Sequence, residues 1–525
     1  MEVTTMKITK MDYAATGAFS QTITDYLAQN EKLKPFYNRF PGINVFEAQL
    51  QEKEFSSEQR QVLHKALQEQ YSSVSEINPK VQQNIDLLLQ PNTFTITTGH
   101  QLNIFTGPLY FVYKIITGIN TCKQLQAAYP DYNFVPVYWM ATEDHDFAEI
   151  NHFNLFGKGY KWQTEQTGAV GRFSTEGLDQ LLDEMPEKFA VFEEAYRNSK
   201  TLTDATRAIT HSLFADYGLV SIDGDQAELK KALTPVIEKE LTENLSHKLV
   251  SETSAQLEEL GYKPQVYSRE INLFYLKDGL RERIVQEDGK YKVLNTDISF
   301  TQEEILQLAK EHPEQFSPNV ILRPLYEELI LPNLAYIGGG AEVVYWFQLK
   351  KVFEAYKVAF PVLMLRNSAM YINRGNASRM HKLGLSAEQM FKPFLDLKKY
   401  LSSQLHEEEI TLKAQQKTVE DAFKEVEKLA KSIDPTLVKA VAAEEQKAYN
   451  ALQILEKKLS KARDSKHEQT FKQLENLKEK LFPGGSLQER HDNLLSYQAN
   501  NPDFIPALVD AFDPFDLKFT ILEEE

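Results

Sequence analysis

Two periodicities divide the chain. In "FSSEQRQVLHKALQEQYSS" and "PKVQQNIDLLLQ" the apolar residues recur three and four apart, as on one face of a helix, so residues 1–90 read as a helical segment packed on the core that follows. Pro91 ends that pattern. Beyond it, Phe94 to Thr97, Phe134 to Met140 ("FVPVYWM"), Gly218 to Ile222 ("GLVSI") and "FPVLMLR" at 360–366 are nearly continuous apolar runs. Such runs suit strands covered on both faces, and helical stretches between them favour a parallel, doubly wound α/β sheet. Residues 157–210 and 226–316 are more polar and read as insertions into a core spanning 91–395. Within the second, Asp288-Gly289 sits between two alternating stretches and predicts a hairpin.

Residues 396–482 follow a different rule. Leu405, Leu412, Val419, Val426 and Ile433 fall at sevens, with Phe423 and Ala430 four residues after two of them. Val441, Ala448, Leu455 and Ala462 repeat the register beside Leu452 and Leu459, a coiled-coil signature. Asp434-Pro435 separates the two runs, which predicts an antiparallel hairpin whose arms reach roughly 50 Å or more and which either serves self-association or stands as a solvated two-helix arm. After Pro483-Gly484-Gly485 the tail, 483–525, turns apolar again and is expected to pack back on the core. No period of 20 to 50 residues repeats, which excludes solenoids and propellers.

Composition narrows the partners. A length of 525 residues suits several domains or a core with large insertions, and a formal charge of −17 argues against a general nucleic-acid binder. Cys122 is the only cysteine, so no intrachain disulfide or cysteine-rich zinc knuckle can form. With no signal-like start and no long apolar span, a cytoplasmic protein without membrane segments is expected.

Polar residues cluster where the apolar runs end. Thr97-Thr98-Gly99-His100 matches the T/H-x-G-H loop signature of nucleotidyl-transferring folds, where the glycine lets backbone approach a phosphate and the histidine can donate to developing charge, although a plain strand-to-helix turn would read the same. The second run ends in Glu143-Asp144-His145-Asp146, followed by Glu149, Asn151 and His152. Ligands of open α/β sheets lie beyond the carboxyl ends of strands, where this cluster could supply a general base, magnesium ligands or carboxylates for an amine. Acids stocking a helix N-terminus would look the same. A third constellation spans 317–350, with Arg323, Glu327, Glu328, and Gly338-Gly339-Gly340 opening a helix that carries Glu342, Tyr345 and Trp346.

Taken together, "TTGHQLNIFTGPLYFVYKI", "VPVYWMATEDHDFAEINH", "SPNVILRPLYEELILPNLAYIGGGAEVVYWFQLK" and "LFPGGSLQER" resemble, in order and over essentially the whole chain, the bacillithiol-biosynthesis BshC family. The resemblance implies a Rossmann-like core with inserted connecting elements, a C-terminal coiled coil through which members dimerise, and a ligase that joins L-cysteine to the amine of glucosaminyl-malate. Amide formation from a free carboxylate needs activation, so ATP and magnesium are expected, with no tightly bound cofactor and no protein-held metal. No lysine-rich K-M-S-K-S signature is present, so ATP use rests on the resemblance and the chemistry. On this reading Thr97, Gly99, His100 and Gln101, with the Thr106-Gly107-Pro108 turn and Tyr110, meet the nucleotide. Asp144, His145 and Asp146 bind the cysteine ammonium or deprotonate the acceptor amine, with Glu143 and Asn151 among the substrate- or nucleotide-binding residues. Arg323 holds a carboxylate, and Glu327, Gly339, Gly340 and Glu342 complete the binding surface. Two other readings compete: a nucleotide-binding scaffold without catalysis, and a metal-dependent hydrolase centred on His145 and His152.

Overall fold

The computed structural model describes residues 6–404, 410–466 and 468–525. They form two compact units, Ile8–Met370 with Ser486–Thr520, and Tyr371–Gly485 with residues 6–7 and Ile521–Glu525.

A five-stranded parallel sheet organises the first unit. Its strands are β1 (Thr93–His100), β2 (Asn133–Met140), β3 (Val220–Asp223), β4 (Asn333–Gly338) and β5 (Val362–Leu365), in the spatial order β5-β4-β1-β2-β3. β1 and β2 run in continuous register from Thr93 opposite Asn133 to His100 opposite Met140. The β-branched and aromatic residues that fill both strands suit a sheet buried on its two faces. β4 is the strand the apolar pattern does not announce: "NLAYIG" is short, follows a proline and runs into three glycines. It pairs with β1 through a bulge between Asn333 and Ala335.

Helices cover the sheet. α1 (Tyr110–Ala128) follows β1, α2 (Arg323–Ile330) precedes β4, and α3 (Gly340–Trp346) follows it. Phe94, Ile96, Phe134, Ile337 and Met364 from the strands pack with Leu125 and Cys122 of α1 and with Phe46 and Leu50 of the N-terminal helices. Of that N-terminal segment, Met6–Met11 is a strand where a helix was expected and helices follow it, among them Ser57–Tyr71, which starts with a capping box between Ser56 and Gln59. The larger insertion folds into its own antiparallel sheet, in which Leu280–Glu287 and Lys290–Val293 form the expected hairpin. Asp288 and Gly289 both take positive φ, 53° and 74°, as a two-residue primed turn requires.

In the second unit, α4 (Lys413–Ile433) and α5 (Val438–Lys466) form an antiparallel hairpin, with the Leu412 N–H donating to Glu456 Oε2 (2.9 Å). Leu405 lies outside the described residues. At about 1.5 Å per residue, the 21 residues of α4 and the 29 of α5 span about 32 and 44 Å, shorter than the repeat suggests. The seam also departs from strict sevens. Leu412, Val419, Phe423 and Ala430 face α5, whereas Val426 and Ile433 are exposed. A straight helix drifts about 20° per heptad, so a run of sevens leaves the seam after two or three turns.

Candidate functional site

The order β5-β4-β1-β2-β3 places β1 beside β4, where the chain crosses from one side of the sheet to the other. In open α/β sheets the crevice at such a switch, beyond the carboxyl ends of the strands, is where ligands bind. A cavity of about 280 Å³ opens there. Its walls come from the ends of β1 (Gly99, His100) and β2 (Trp139), from α1 (Tyr110, Lys114), α2 (Arg323, Glu327) and α3 (Gly340, Glu342), and from Arg366 and Arg490.

Gly99 is required by closeness: a Cβ there would stand 3.1 Å from Tyr336 Oη. Its carbonyl accepts from Lys114 Nζ, which also reaches Glu342 Oε2 at 2.6 Å. Glu342 accepts in addition from Tyr336 Oη (3.0 Å) and from the Gly339 N–H (2.7 Å). Burial alone would raise this carboxyl, but Lys114 and those donors hold it below its usual range, so it is ionised. Arg366 is likewise committed, donating to Glu489 Oε1 at 2.8 Å and lying over the Tyr110 ring.

Three groups at the cavity are less committed. His100 packs between Tyr110 and Phe111, and its buried Nε2 has no hydrogen-bond partner. Burial, with Lys114, Arg366 and Arg323 nearby, pushes the imidazole well below its usual pKa, so at neutral pH it is an uncharged ring. Glu327 is 2% exposed and its Oε1 is also unpartnered. Burial first, and then Glu328, raise its pKa well above the carboxylate range. Asp144 is the opposite case: burial would raise it, but the Gln101 amide at 3.0 Å and the Arg281 and Arg323 charges bring it below the usual value. One cavity thus holds a carboxyl and an imidazole that burial pushes toward their neutral forms beside a carboxylate held toward its ionised form.

Of the residues expected from sequence, Gly99, His100, Gln101, Tyr110, Asp144, Arg323, Glu327, Gly339, Gly340 and Glu342 line this cavity. Glu143 and His145 line an adjoining one, where Glu143 pairs with Lys230. The structure does not bring the others to either. Thr97 is fully buried and donates to Asn333 Oδ1 at 2.9 Å, and Thr98 donates to the Ile337 carbonyl, so both hydroxyls lock β1 to β4. The turn at Thr106-Gly107 is strained for its own sake: both have positive φ, and Asn493 clamps the Phe105 and Gly107 carbonyls at 2.7 Å. Asp146 is an exposed N-cap, and Asn151 is buried against Trp162. His152 sits on an exposed hairpin away from His145, and among the described residues no group of three His, Cys, Asp or Glu is placed to hold a metal. The hydrolase reading therefore gains no ligand set.

Lys114, Tyr336, Arg366 and Arg490 were not anticipated. Two had a signal. Lys114 is the single charge in the apolar helix run "YFVYKIITGIN", four residues after Tyr110 and so on its face, and Arg366 ends the apolar run of β5.

Family comparison agrees with this architecture. Residues 6–367 match the bacillithiol biosynthesis BshC N-terminal Rossmann-like domain, and residues 369–524 the BshC C-terminal coiled-coil domain. A protein of Flavobacterium johnsoniae is 45% identical over 98% of this chain and 99% of its own length. One from Cytophaga hutchinsonii is 42% identical over 94% and 95%, and one from Bacillus cytotoxicus 28% over 90% and 92%. All three bear the name "Putative cysteine ligase BshC". No helix among the described residues is long and apolar enough to cross a membrane.

Proposed function

The chain belongs to the BshC family of bacillithiol biosynthesis, and from that premise we propose that it is a cysteine ligase, joining the carboxyl of L-cysteine to the amine of glucosaminyl-malate in the cytoplasm. The observation that carries the reading is the geometry of the switch-point cavity, where His100 Nε2 and Glu327 Oε1 are buried without hydrogen-bond partners and Asp144 is held by Gln101 at 3.0 Å, which suits a reaction that must release an oxygen from one partner and a proton from the other. A carboxylate oxygen leaves water-stable acids only when it carries a better leaving group, and ATP with magnesium is the proposed activator.

The residues present fit a polyphosphate. Arg323 and Arg490 face the cavity, and neither forms an ion pair with a described residue, so both can meet phosphate oxygens. His100, neutral and with Nε2 unpartnered, can donate to a developing negative oxygen without adding a fixed charge. Asp144, held ionised by Gln101, is placed to take the proton of the attacking amine or to hold the cysteine ammonium. Lys114 and Glu342 pair with each other at 2.6 Å, and Lys114 fixes the Gly99 end of β1 through its carbonyl.

Self-association through the helical hairpin belongs to the same reading. Leu429, Ile433, Leu455 and Leu459 are large apolar residues left exposed along it, and a second copy of the stripe would cover them. Purified protein supplied with ATP, magnesium, L-cysteine and glucosaminyl-malate should release bacillithiol, read by mass spectrometry, with AMP or ADP identifying the activation step. Absence of product with folded protein and all four components would remove the ligase reading.

A further inference from the structure

Behind the wall formed by Trp139, Ala141, Asp144 and Arg323 lies a second cavity of about 360 Å³, roofed by the insertion sheet. Four guanidinium groups face it: Arg269, Arg281, Arg283 and Arg323. Arg281 and Arg283 are two apart on the strand Leu280–Glu287 and so project to the same side. Among the other buried arginines, Arg366 has Glu489 at 2.8 Å and Arg207 has Asp204 at 3.7 Å, while Arg60 donates to the Leu88, Thr93 and Pro91 carbonyls. None of the four around this cavity forms an ion pair with a described residue. The two acids in its wall are already engaged, Glu143 by Lys230 and Asp144 by Gln101.

Arg281 shows how deliberately the charge is held. It is 9% exposed, stacks 3.9 Å above the Phe274 ring, and donates to Ser317 Oγ (3.0 Å) and the Pro318 carbonyl (3.3 Å). Its third contact is His145 Nδ1 at 2.6 Å, which makes that imidazole an acceptor there. Every partner of this buried cation is neutral. A guanidinium withdrawn from water is costly, and setting Arg281 beside Arg323 adds repulsion that the Asp144 and Glu143 charges offset in part. Such a cluster is what a multiply charged anion offsets on binding, and planar forks match carboxylates two bonds at a time.

We propose that this second cavity is a dicarboxylate subsite and that, resting on the ligase reading above, it takes the malate end of the acceptor. Asp144 belongs to both cavities, so an acceptor anchored by its two carboxylates behind the wall presents its amine at that carboxylate. The activated cysteine then approaches from the switch-point side. Arg281 and Arg283 are binding residues in this arrangement, and His145 is a positioning residue that fixes Arg281.

The test is calorimetric titration of the full chain and of Arg283→Gln and Arg269→Gln/Arg283→Gln, substitutions at one partly exposed and one exposed position that leave the buried Arg281 stack in place. The probes are glucosaminyl-malate, L-malate, glucosamine and inorganic phosphate. Wild-type protein should bind the first two, and the double variant should lose roughly tenfold or more of that affinity while ATP affinity is unchanged. Undiminished glucosaminyl-malate binding by the double variant, no L-malate binding at all, or phosphate competing as well as L-malate would each overturn the subsite. If L-malate binds in an arginine-dependent way while the reconstituted reaction gives no bacillithiol, the subsite stands and the ligase reading falls.

Discussion

Lys114 and Glu342 sit inside the switch-point cavity, the lysine side chain 2% exposed, while Leu429 and Ile433 on the hairpin stand 61% and 71% exposed. Each region spends free energy in the way the other avoids. The Rossmann unit hides charge, which a folded chain tolerates only where every charge is answered or awaits an answer. The hairpin displays apolar surface, which a folded chain tolerates where another surface covers it. On the reading proposed above, the first arrangement serves small charged molecules and the second a second copy of the chain. A single rule about polar outsides and apolar insides misreads both, and for opposite reasons.

The largest way to break the contrast is to strand the buried lysine. Glu342→Ala leaves the Lys114 ammonium with the Gly99 carbonyl alone, and urea unfolding should show a loss of about 3–5 kcal/mol. Replacing both, Lys114→Met with Glu342→Met, should recover much of it, because no charge is left behind. Next comes chemistry without collapse: Asp144→Ala should lower bacillithiol formation about a hundredfold or more with an unchanged far-UV spectrum, since the hydrogen bonds of Asp144 go to Gln101 and its own loop.

On the hairpin the expected effect is on association, with folding spared. Leu429→Glu with Ile433→Glu should weaken self-association by roughly a hundredfold, at about 1.5 kcal/mol or more per buried side chain, as read by sedimentation velocity. The melting temperature of each protomer should hardly move.

The smallest effect is the sharpest in sign. Glu327 has a raised pKa in the folded protein, so its contribution is fully present below the unfolded value of 4.5 and is lost as pH rises through the folded value. Glu327→Gln, which stays neutral, should therefore melt higher than the parent by about 1–3 °C at pH 8, with the difference closing below pH 4.5. Lower ligase activity in that more stable variant would mark the carboxyl as kept for function.

The sequence disclosed more of the frame than of the fittings. Strands β1, β2, β3 and β5 were legible because strands covered on both faces are written as unbroken apolar runs, and the Asp288-Gly289 turn because positive φ selects its residues. β4 was not, since three glycines and a proline hide a strand whose partners are 240 residues away in β1. At the site, proximity to a strand end found Gly99, His100 and Asp144, but could not tell them from Thr97, whose hydroxyl turned inward to Asn333. Alternation decides which neighbour faces the ligand, and the bulge in β4 shifts that choice locally. Arg281 was invisible for another reason: it arrives from an insertion sheet whose packing over β2 no local pattern encodes. The heptads named the right helices and left the seam to drift.

The most direct test of the central claim is low-molecular-weight thiol profiling by mass spectrometry in a bacillithiol-producing host that lacks its own BshC, complemented with this chain or with Asp144→Ala. The account predicts that the parent chain restores bacillithiol and depletes glucosaminyl-malate, and that Asp144→Ala, expressed to the same level, does neither. Full restoration by Asp144→Ala, or persistent glucosaminyl-malate with abundant folded parent protein, would contradict it.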